Sequence, residues 1–194
     1  MTQLPDLVDI ALNRDADRPA VEFQGRWYVW GELRSVADAA VQGLARQGVD
    51  TSAPVAFVAR NHPSALAVLL ALLWQGRTVK MVYAFQSGEG TARDIQRLNC
   101  GAAILFQQDM AEEVQAFLRS DGLPHLVLDE MQVREPASGS TKARAHVADD
   151  DAKPHIGILT SGTTGPPKQF PLYYATIEQF FLASPLTKAQ SDDA

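Results

Sequence analysis

The chain contains 194 residues, of which 46% are hydrophobic and 21% are charged, a composition typical of one ordinary globular domain and not of a disordered or fibrous protein. Its 17 Lys and Arg and 23 Asp and Glu side chains give a formal net charge of −6 without a basic stripe, which argues against nucleic acid as the main partner. Cys100 is the only cysteine, so an internal disulfide and a cysteine-based metal cluster are excluded, and a reducing, cytoplasmic location is expected.

The first predicted elements are two apolar-rich segments, residues 20–23 and 26–30, that flank Gln24-Gly25 in a pattern typical of a β-hairpin. A helix is predicted next, because apolar residues recur at three- and four-residue steps from Trp30 to Ala45. Residues 65–74 form the most hydrophobic stretch, which is shorter than the roughly 20 residues of a membrane span. We therefore predict a buried helix there and no integral membrane segment.

Strand-like and helix-like segments alternate through the middle of the chain. The predicted strands are residues 55–59, 79–83, 102–106 and 125–129, and the predicted helices between them are residues 65–74, 91–98 and 110–118. This alternation predicts an α/β fold with a mainly parallel sheet, helices on both faces and the β-hairpin at the N-terminal end. In such sheets ligands bind beyond the carboxyl ends of the strands, where a functional loop is expected.

The segment 130–154 is polar and has no sustained period, so it is predicted to be an exposed connecting loop. It contains three consecutive aspartates, residues 149–151. We assign no metal to them, because carboxylates in a stretch without a rigid frame do not converge on one ion.

The chemistry is concentrated in residues 155–183, which are predicted to form a strand, a phosphate-binding loop and a following helix. The strand, residues 155–160, runs directly into Ser161-Gly162-Thr163-Thr164-Gly165-Pro166-Pro167-Lys168. The two glycines allow the backbone to approach a ligand closely, while hydroxyl and N–H groups supply donors and Lys168 supplies positive charge. This combination is what a polyphosphate requires.

Two other phosphate motifs are excluded. The Walker A motif needs four residues between its glycines, whereas only Thr163 and Thr164 separate Gly162 from Gly165, and the G-x-G-x-x-G dinucleotide motif is absent. A flexible Ser/Thr/Gly linker is the structural alternative, but it does not explain the abrupt junction with an apolar strand. The residues alone therefore predict a nucleotide or phosphate site without an assigned reaction.

At this loop the chain resembles the adenylate-forming superfamily, which includes acyl-CoA synthetases, peptide-synthetase adenylation domains and luciferases. The signature of that superfamily is Ser/Thr-Ser-Gly-Ser/Thr-Thr-Gly-x-Pro-Lys, and every position from Thr160 to Lys168 agrees with it. Shorter likenesses lie upstream at Asp17-Arg18-Pro19, Trp30-Gly31-Glu32 and Asn61-His62-Pro63.

The resemblance implies an enzyme that couples a carboxylic acid to ATP with Mg²⁺, releases pyrophosphate, and transfers the acyl group to the thiol of coenzyme A or of a carrier protein. The residues that would wrap the β- and γ-phosphates are Thr160, Ser161, Gly162, Thr163, Thr164 and Gly165. Lys168 would be the catalytic residue, since it would neutralise charge on the departing pyrophosphate.

The chain also departs from the superfamily. Gln169 stands where a glycine usually follows the signature lysine, Trp30 replaces a common threonine, and Tyr173-Tyr174 replaces a segment that often contains histidine. Complete members are much longer, so residues 1–194 are expected to be an N-terminal subdomain that lacks adenylation activity alone and that self-associates through exposed apolar surface.

Several alternatives stay open at this point. Fatty, aryl and amino acids are all compatible with the sequence as the acid that is activated. A stand-alone, non-catalytic nucleotide-binding or interaction module and a general anion-binding loop are the alternative functions.

Overall fold

The fold is built around a seven-stranded sheet with helices on both faces. The structure is a computed structural model that describes residues 3–136, 153–160 and 168–183. The elements, in chain order, are α1 (Leu4–Leu12), β1 (Pro19–Phe23), β2 (Arg26–Val29), α2 (Trp30–Arg46), β3 (Val55–Val58), α3 (Pro63–Trp74), β4 (Val79–Val82), α4 (Gly88–Leu98), β5 (Ala102–Phe106), a 3₁₀ turn (Gln107–Asp109), α5 (Glu112–Asp121), β6 (His125–Asp129), β7 (Gln132–Arg134), β8 (His155–Thr160), β9 (Lys168–Tyr173) and α6 (Tyr174–Ala183).

The strand order in the large sheet is β7-β6-β5-β3-β4-β8-β9. Strands β6, β5, β3, β4 and β8 are parallel to their neighbours in this group, while β7 and β9 pair antiparallel at the two edges. Strands β1 and β2 form a separate antiparallel hairpin. The predicted fold class, including the N-terminal hairpin, is therefore confirmed.

Strand β3 shows how the sheet separates two hydrophobic layers. Its residues are all fully buried, with Val55 and Phe57 facing one layer and Ala56 and Val58 facing the other. The first layer contains apolar side chains of α1, α2 and α3, and the second contains those of α4 and α5. Helices therefore cover both faces of the sheet, as the continuous apolar strands predict.

Some elements were not predicted from the sequence. Helix α1 buries Leu4, Val8 and Leu12, which are spaced four residues apart and lie on one helix face. Strand β7 lies inside the segment 130–154 that was predicted to be an exposed connecting loop, and it pairs with β6. The remainder of that segment from residue 137 to 152, with the three aspartates, lies outside the described residues.

Strand β9 was not predicted from the sequence, and it precedes the helix that was predicted to follow the loop. It pairs with β8 along its whole length, from Thr160–Lys168 to His155–Tyr173, and helix α6 begins only at Tyr174. Pro171 within β9 weakens the sequence signal for a strand, because proline is tolerated only in edge strands, and β9 is an edge strand. The long-range pairing with β8 outweighs this local preference.

None of the helices in the part of the chain that the structure describes has the length and apolar character needed to cross a membrane. Cys100 is buried in the second hydrophobic layer, as expected for a small apolar filler.

Tyr174 connects the start of α6 to the amino edge of the sheet. Its hydroxyl donates a hydrogen bond to the carbonyl oxygen of Arg77 at 2.5 Å, and its backbone N–H donates to the Pro154 oxygen at 3.3 Å. The Arg77 guanidinium is itself buried and donates to the carbonyl oxygen of Asp50. The far end of the β8–β9 hairpin is therefore fixed to the segments that precede β4 and β8.

Burial raises the pKa of the Tyr174 phenol above its ordinary value of about 10, because a buried phenolate would lose its hydration. The contribution of Tyr174 to stability is therefore complete below about pH 10, the pKa in the unfolded chain, and is lost as the pH rises further. We predict that Tyr174→Phe lowers the free energy of unfolding by about 1 kcal/mol at neutral pH and makes stability fall less steeply above about pH 10. Urea unfolding across this pH range measures both effects.

The exposed Tyr83 provides the control, since Tyr83→Phe should leave the free energy of unfolding at neutral pH within about 0.5 kcal/mol of the wild-type value. An equal alkaline slope in wild type and Tyr174→Phe would contradict the assignment.

Candidate functional site

The two strands that flank the predicted phosphate loop in the sequence meet at the edge of the sheet where the parallel strands end. Strand β8 ends there at Thr160 and β9 starts there at Lys168, and these two residues are direct partners in the antiparallel ladder. Since such partners have Cα atoms about 4.5 to 5.5 Å apart, the last residue of β8 and the first residue of β9 are close neighbours. Both lie at the carboxyl edge, where α/β sheets commonly bind ligands.

Two of the predicted site residues are described, and five are not. Thr160 and Lys168 are brought together at the base of the loop, and Lys168 is exposed. Ser161, Gly162, Thr163, Thr164 and Gly165 lie outside the described residues, so their predicted contacts with phosphate stay a prediction.

Gln169, the residue after Lys168, takes part in holding the base of the loop. Its side-chain Nε2 donates a hydrogen bond at 2.9 Å to the backbone oxygen of Met81, which belongs to β4. A link between the loop and the sheet is therefore present one residue from the predicted catalytic lysine.

A polar groove of about 580 Å³, which we did not predict from the sequence, lies at the same edge of the sheet beside the β1–β2 hairpin. It is lined by residues that follow β3, β5 and β6, including Asn61, His62, Gln108 and Glu130. Strands β3 and β5 are neighbours in the sheet. The chain leaves β3 toward β4 in one direction along the sheet, and it leaves β5 toward β6 in the opposite direction. The groove thus lies where the strand order reverses, a place at which α/β sheets commonly bind ligands.

His62 is positioned in this groove as the N-terminal cap of α3. Its Nδ1 accepts a hydrogen bond from the Ser64 backbone N–H at 3.2 Å and lies 2.8 Å from the Ser64 hydroxyl. The ring contacts the edges of Phe23 and Phe106. Burial lowers the pKa of His62, and the opposing influence of Glu130 is smaller, so the neutral imidazole is favoured.

Arg60 and Asp109 join the loops that follow three strands. The Arg60 guanidinium donates to both Asp109 carboxylate oxygens, with Nε at 3.0 and 3.1 Å, and also donates to the Ala84 oxygen. Asp109 accepts the backbone N–H of Phe106, and its side chain is only 4% exposed. The hydrogen bond to Asp109 raises the pKa of Arg60, so the guanidinium keeps its charge while it links the segments that follow β3, β4 and β5.

Across residues 3–136, 153–160 and 168–183 no group of three or more His, Cys, Asp and Glu side chains is arranged to hold a metal ion. We therefore assign no described residue as a ligand of Mg²⁺.

Comparison with known protein families identifies the chain. The family model described as AMP-binding enzyme matches residues 8–192. The chain belongs to the AMP-binding enzyme family. The resemblance that the loop signature indicated is thereby confirmed over nearly the whole sequence. No curated protein sequence matches the chain.

Solved structures of similar fold include an ATP-bound protein, a CoA ligase and a luciferase-like enzyme. ATP-bound MatB from Rhodopseudomonas palustris is 19% identical with a TM-score of 0.69, over 93% of this chain and 36% of that one. A benzoate CoA ligase from Burkholderia xenovorans LB400 is 16% identical with a TM-score of 0.66, over 92% of this chain and 36% of that one. The luciferase-like enzyme from the mealworm Zophobas morio is 14% identical with a TM-score of 0.63, over 89% and 43%.

These likenesses show the fold, and they also show how much of each relative is matched. The chain spans well under half the length of these solved relatives.

We predict that Asp109→Ala lowers the free energy of unfolding by about 3 kcal/mol, because it leaves the partly buried Arg60 guanidinium without its carboxylate. The matched control is Asp38→Ala, which removes an Arg–Asp pair of similar geometry between Arg34 and Asp38 on the surface of α2. That change should cost less than about 1 kcal/mol. Chemical denaturation of the three proteins measures the difference, and equal losses in the two variants would refute the structural role of Asp109.

Proposed function

We propose that the chain is the phosphate-binding part of an ATP-dependent enzyme that activates a carboxylic acid as an acyl-adenylate. The observation that carries the proposal is the β8–β9 register, which sets Lys168 opposite Thr160 at the carboxyl edge of the sheet in a member of the AMP-binding enzyme family. The loop between them has the hydroxyl, glycine and lysine content that binding of a polyphosphate requires.

In the proposed reaction a carboxylate oxygen attacks the α-phosphorus of ATP, and the bond between that phosphorus and the bridging oxygen of the β-phosphate breaks. The leaving pyrophosphate carries the electron pair of the broken bond, so negative charge accumulates on the β- and γ-phosphates. Lys168 supplies a positive charge at the loop exit, and Thr160, Ser161, Gly162, Thr163, Thr164 and Gly165 supply backbone and hydroxyl donors. The donors act by holding and neutralising the leaving group.

We further propose that the activated acyl group passes to a thiol, that of coenzyme A or of a carrier protein. The support is the structural similarity to a benzoate CoA ligase, which is an acid–thiol ligase by its own name. Mg²⁺ would enter with the ATP phosphates, since this ion is commonly held by substrate phosphates together with few protein groups. Fatty and aryl acids are both candidates for the acid.

The 194-residue chain is proposed to bind phosphate without completing adenylation. It spans 36% of MatB and of the benzoate CoA ligase, and we assign the acyl pocket and the ribose contact to the part of such enzymes that this chain does not match.

We predict that Lys168→Ala weakens the binding of ATP in the presence of Mg²⁺ by roughly tenfold or more, as expected for loss of a charge-assisted contact with phosphate. Titration calorimetry measures the dissociation constant. Lys153→Ala is the matched control, because Lys153 precedes the start of β8 and lies at the opposite end of the hairpin. Equal affinities in wild type and Lys168→Ala would count against the assignment of Lys168.

A second measurement addresses catalysis. We predict that the 194-residue chain gives no pyrophosphate–ATP exchange with anthranilate, benzoate or a long-chain fatty acid, while a full-length benzoate CoA ligase assayed alongside exchanges in the presence of benzoate. Exchange by the chain alone would show that it completes adenylation and would overturn the proposal that it only binds phosphate. ATP binding without exchange agrees with the proposal.

A further inference from the structure

The side chain of Gln169 crosses strand β8 to reach strand β4. Gln169 is the partner of Leu159 in the β8–β9 ladder, and its Nε2 donates to the Met81 oxygen at 2.9 Å. The strand order is β4-β8-β9, so this hydrogen bond passes over the strand between its two ends.

Gly157 makes the crossing sterically feasible. A Cβ atom added at Gly157 would lie only 2.2 Å from Oε1 of Gln169, far inside van der Waals contact. That oxygen is buried and has no hydrogen-bond partner among the described residues. The amide therefore lies directly on the backbone of β8, and the space for it exists because residue 157 has no side chain.

The crossing occurs where β8 separates from its parallel neighbour. The β4–β8 ladder comprises Val79–Ile156 and Lys80–Gly157, whereas the β8–β9 ladder continues to Thr160–Lys168. Beyond Gly157 a cavity of about 190 Å³ lies beside the strands and α4, lined by Leu159 and Gln169 together with residues of β4 and α4. The end of the hairpin that carries the loop has thus left the parallel ladder, and Gln169 bridges the gap.

We propose that Gln169 is a positioning residue that anchors the start of β9 to the sheet and thereby holds Lys168 at the exit of the phosphate loop. This inference rests on the proposed function for its consequence in ATP binding, but the anchoring itself is a property of the described backbone. Relatives with the usual glycine at this position would have no side chain to form the link.

The test compares Gln169→Ala, Gly157→Ala and the double variant with the wild type. Gln169→Ala deletes the bridge, and Gly157→Ala displaces it while leaving Gln169 in the sequence. Gln115→Ala is the matched control. Gln115 lies in α5, remote from the β8–β9 hairpin, and its Nε2 also donates to a backbone oxygen, that of Met110, at 2.7 Å. Two quantities are measured: amide hydrogen exchange of residues 156–160 and 168–172 by NMR, and the affinity for ATP with Mg²⁺ by calorimetry.

We expect Gln169→Ala and Gly157→Ala each to speed exchange in the hairpin and to weaken ATP binding, both by roughly fivefold. The double variant should be no worse than either single variant, because both changes remove the same link. Gln115→Ala should leave hairpin exchange and ATP affinity within roughly twofold of the wild type.

Unchanged hairpin exchange in Gln169→Ala, or additive losses in the double variant, would overturn the anchor. Faster exchange with wild-type ATP affinity would overturn the positioning role and leave Gln169 a purely structural contact. If the wild type binds no ATP, the proposed function fails and the positioning role fails with it, while the exchange measurement still decides whether the anchor exists.

Discussion

The burial of β3 on both faces is the constraint on which the rest of the fold depends. All of Val55–Val58 is removed from water, so each face of this strand needs its own hydrophobic layer. Strands β4 and β5 pair with β3 in parallel, one on each side, and helices cover β3 on both faces of the sheet. Parallel pairing in turn brings the carboxyl ends of five strands to one edge, where the Thr160–Lys168 pair and the polar groove both lie.

That edge is stiffened by side chains and not by backbone pairing alone. Arg60 and Asp109 tie together the segments after β3, β4 and β5, and Gln169 ties β9 to β4. Each of these links joins elements far apart in sequence, and each places a polar group where strand pairing has ended. The sheet provides the position of the site, and these contacts restrict its movement.

Much of this architecture follows from local pattern. Strands β5 and β6 have the bounds that their apolar runs predict, because both are bounded by turn residues and buried on both faces. The strand that precedes the predicted phosphate loop, β8, also has the bounds that its sequence predicts. Helix α1 was readable in principle from the four-residue spacing of Leu4, Val8 and Leu12.

Other features depend on pairing that no local pattern encodes. Strand β9 contains Pro171 and becomes a strand through its ladder with β8, and the groove near His62 exists because β3 and β5 are neighbours. The role of Gln169 needed the position of Gly157 on the intervening strand. The departure of Gln169 from the usual glycine was visible in the sequence, but its contact was not.

The hydrogen bonds of Tyr174 fix one end of the β8–β9 hairpin to the sheet. The fixed end lies at the amino edge, where Tyr174 bonds the Arg77 and Pro154 carbonyls. The Thr160–Lys168 pair lies at the other end, six residues along β9 from Tyr174, or about 20 Å. Movement of the Thr160–Lys168 pair then requires the two paired strands to bend. The hydrogen bond from Gln169 to Met81 opposes this bending near that end. The hydrogen bonds of Tyr174 and Gln169 therefore oppose movement of the Thr160–Lys168 pair relative to β4.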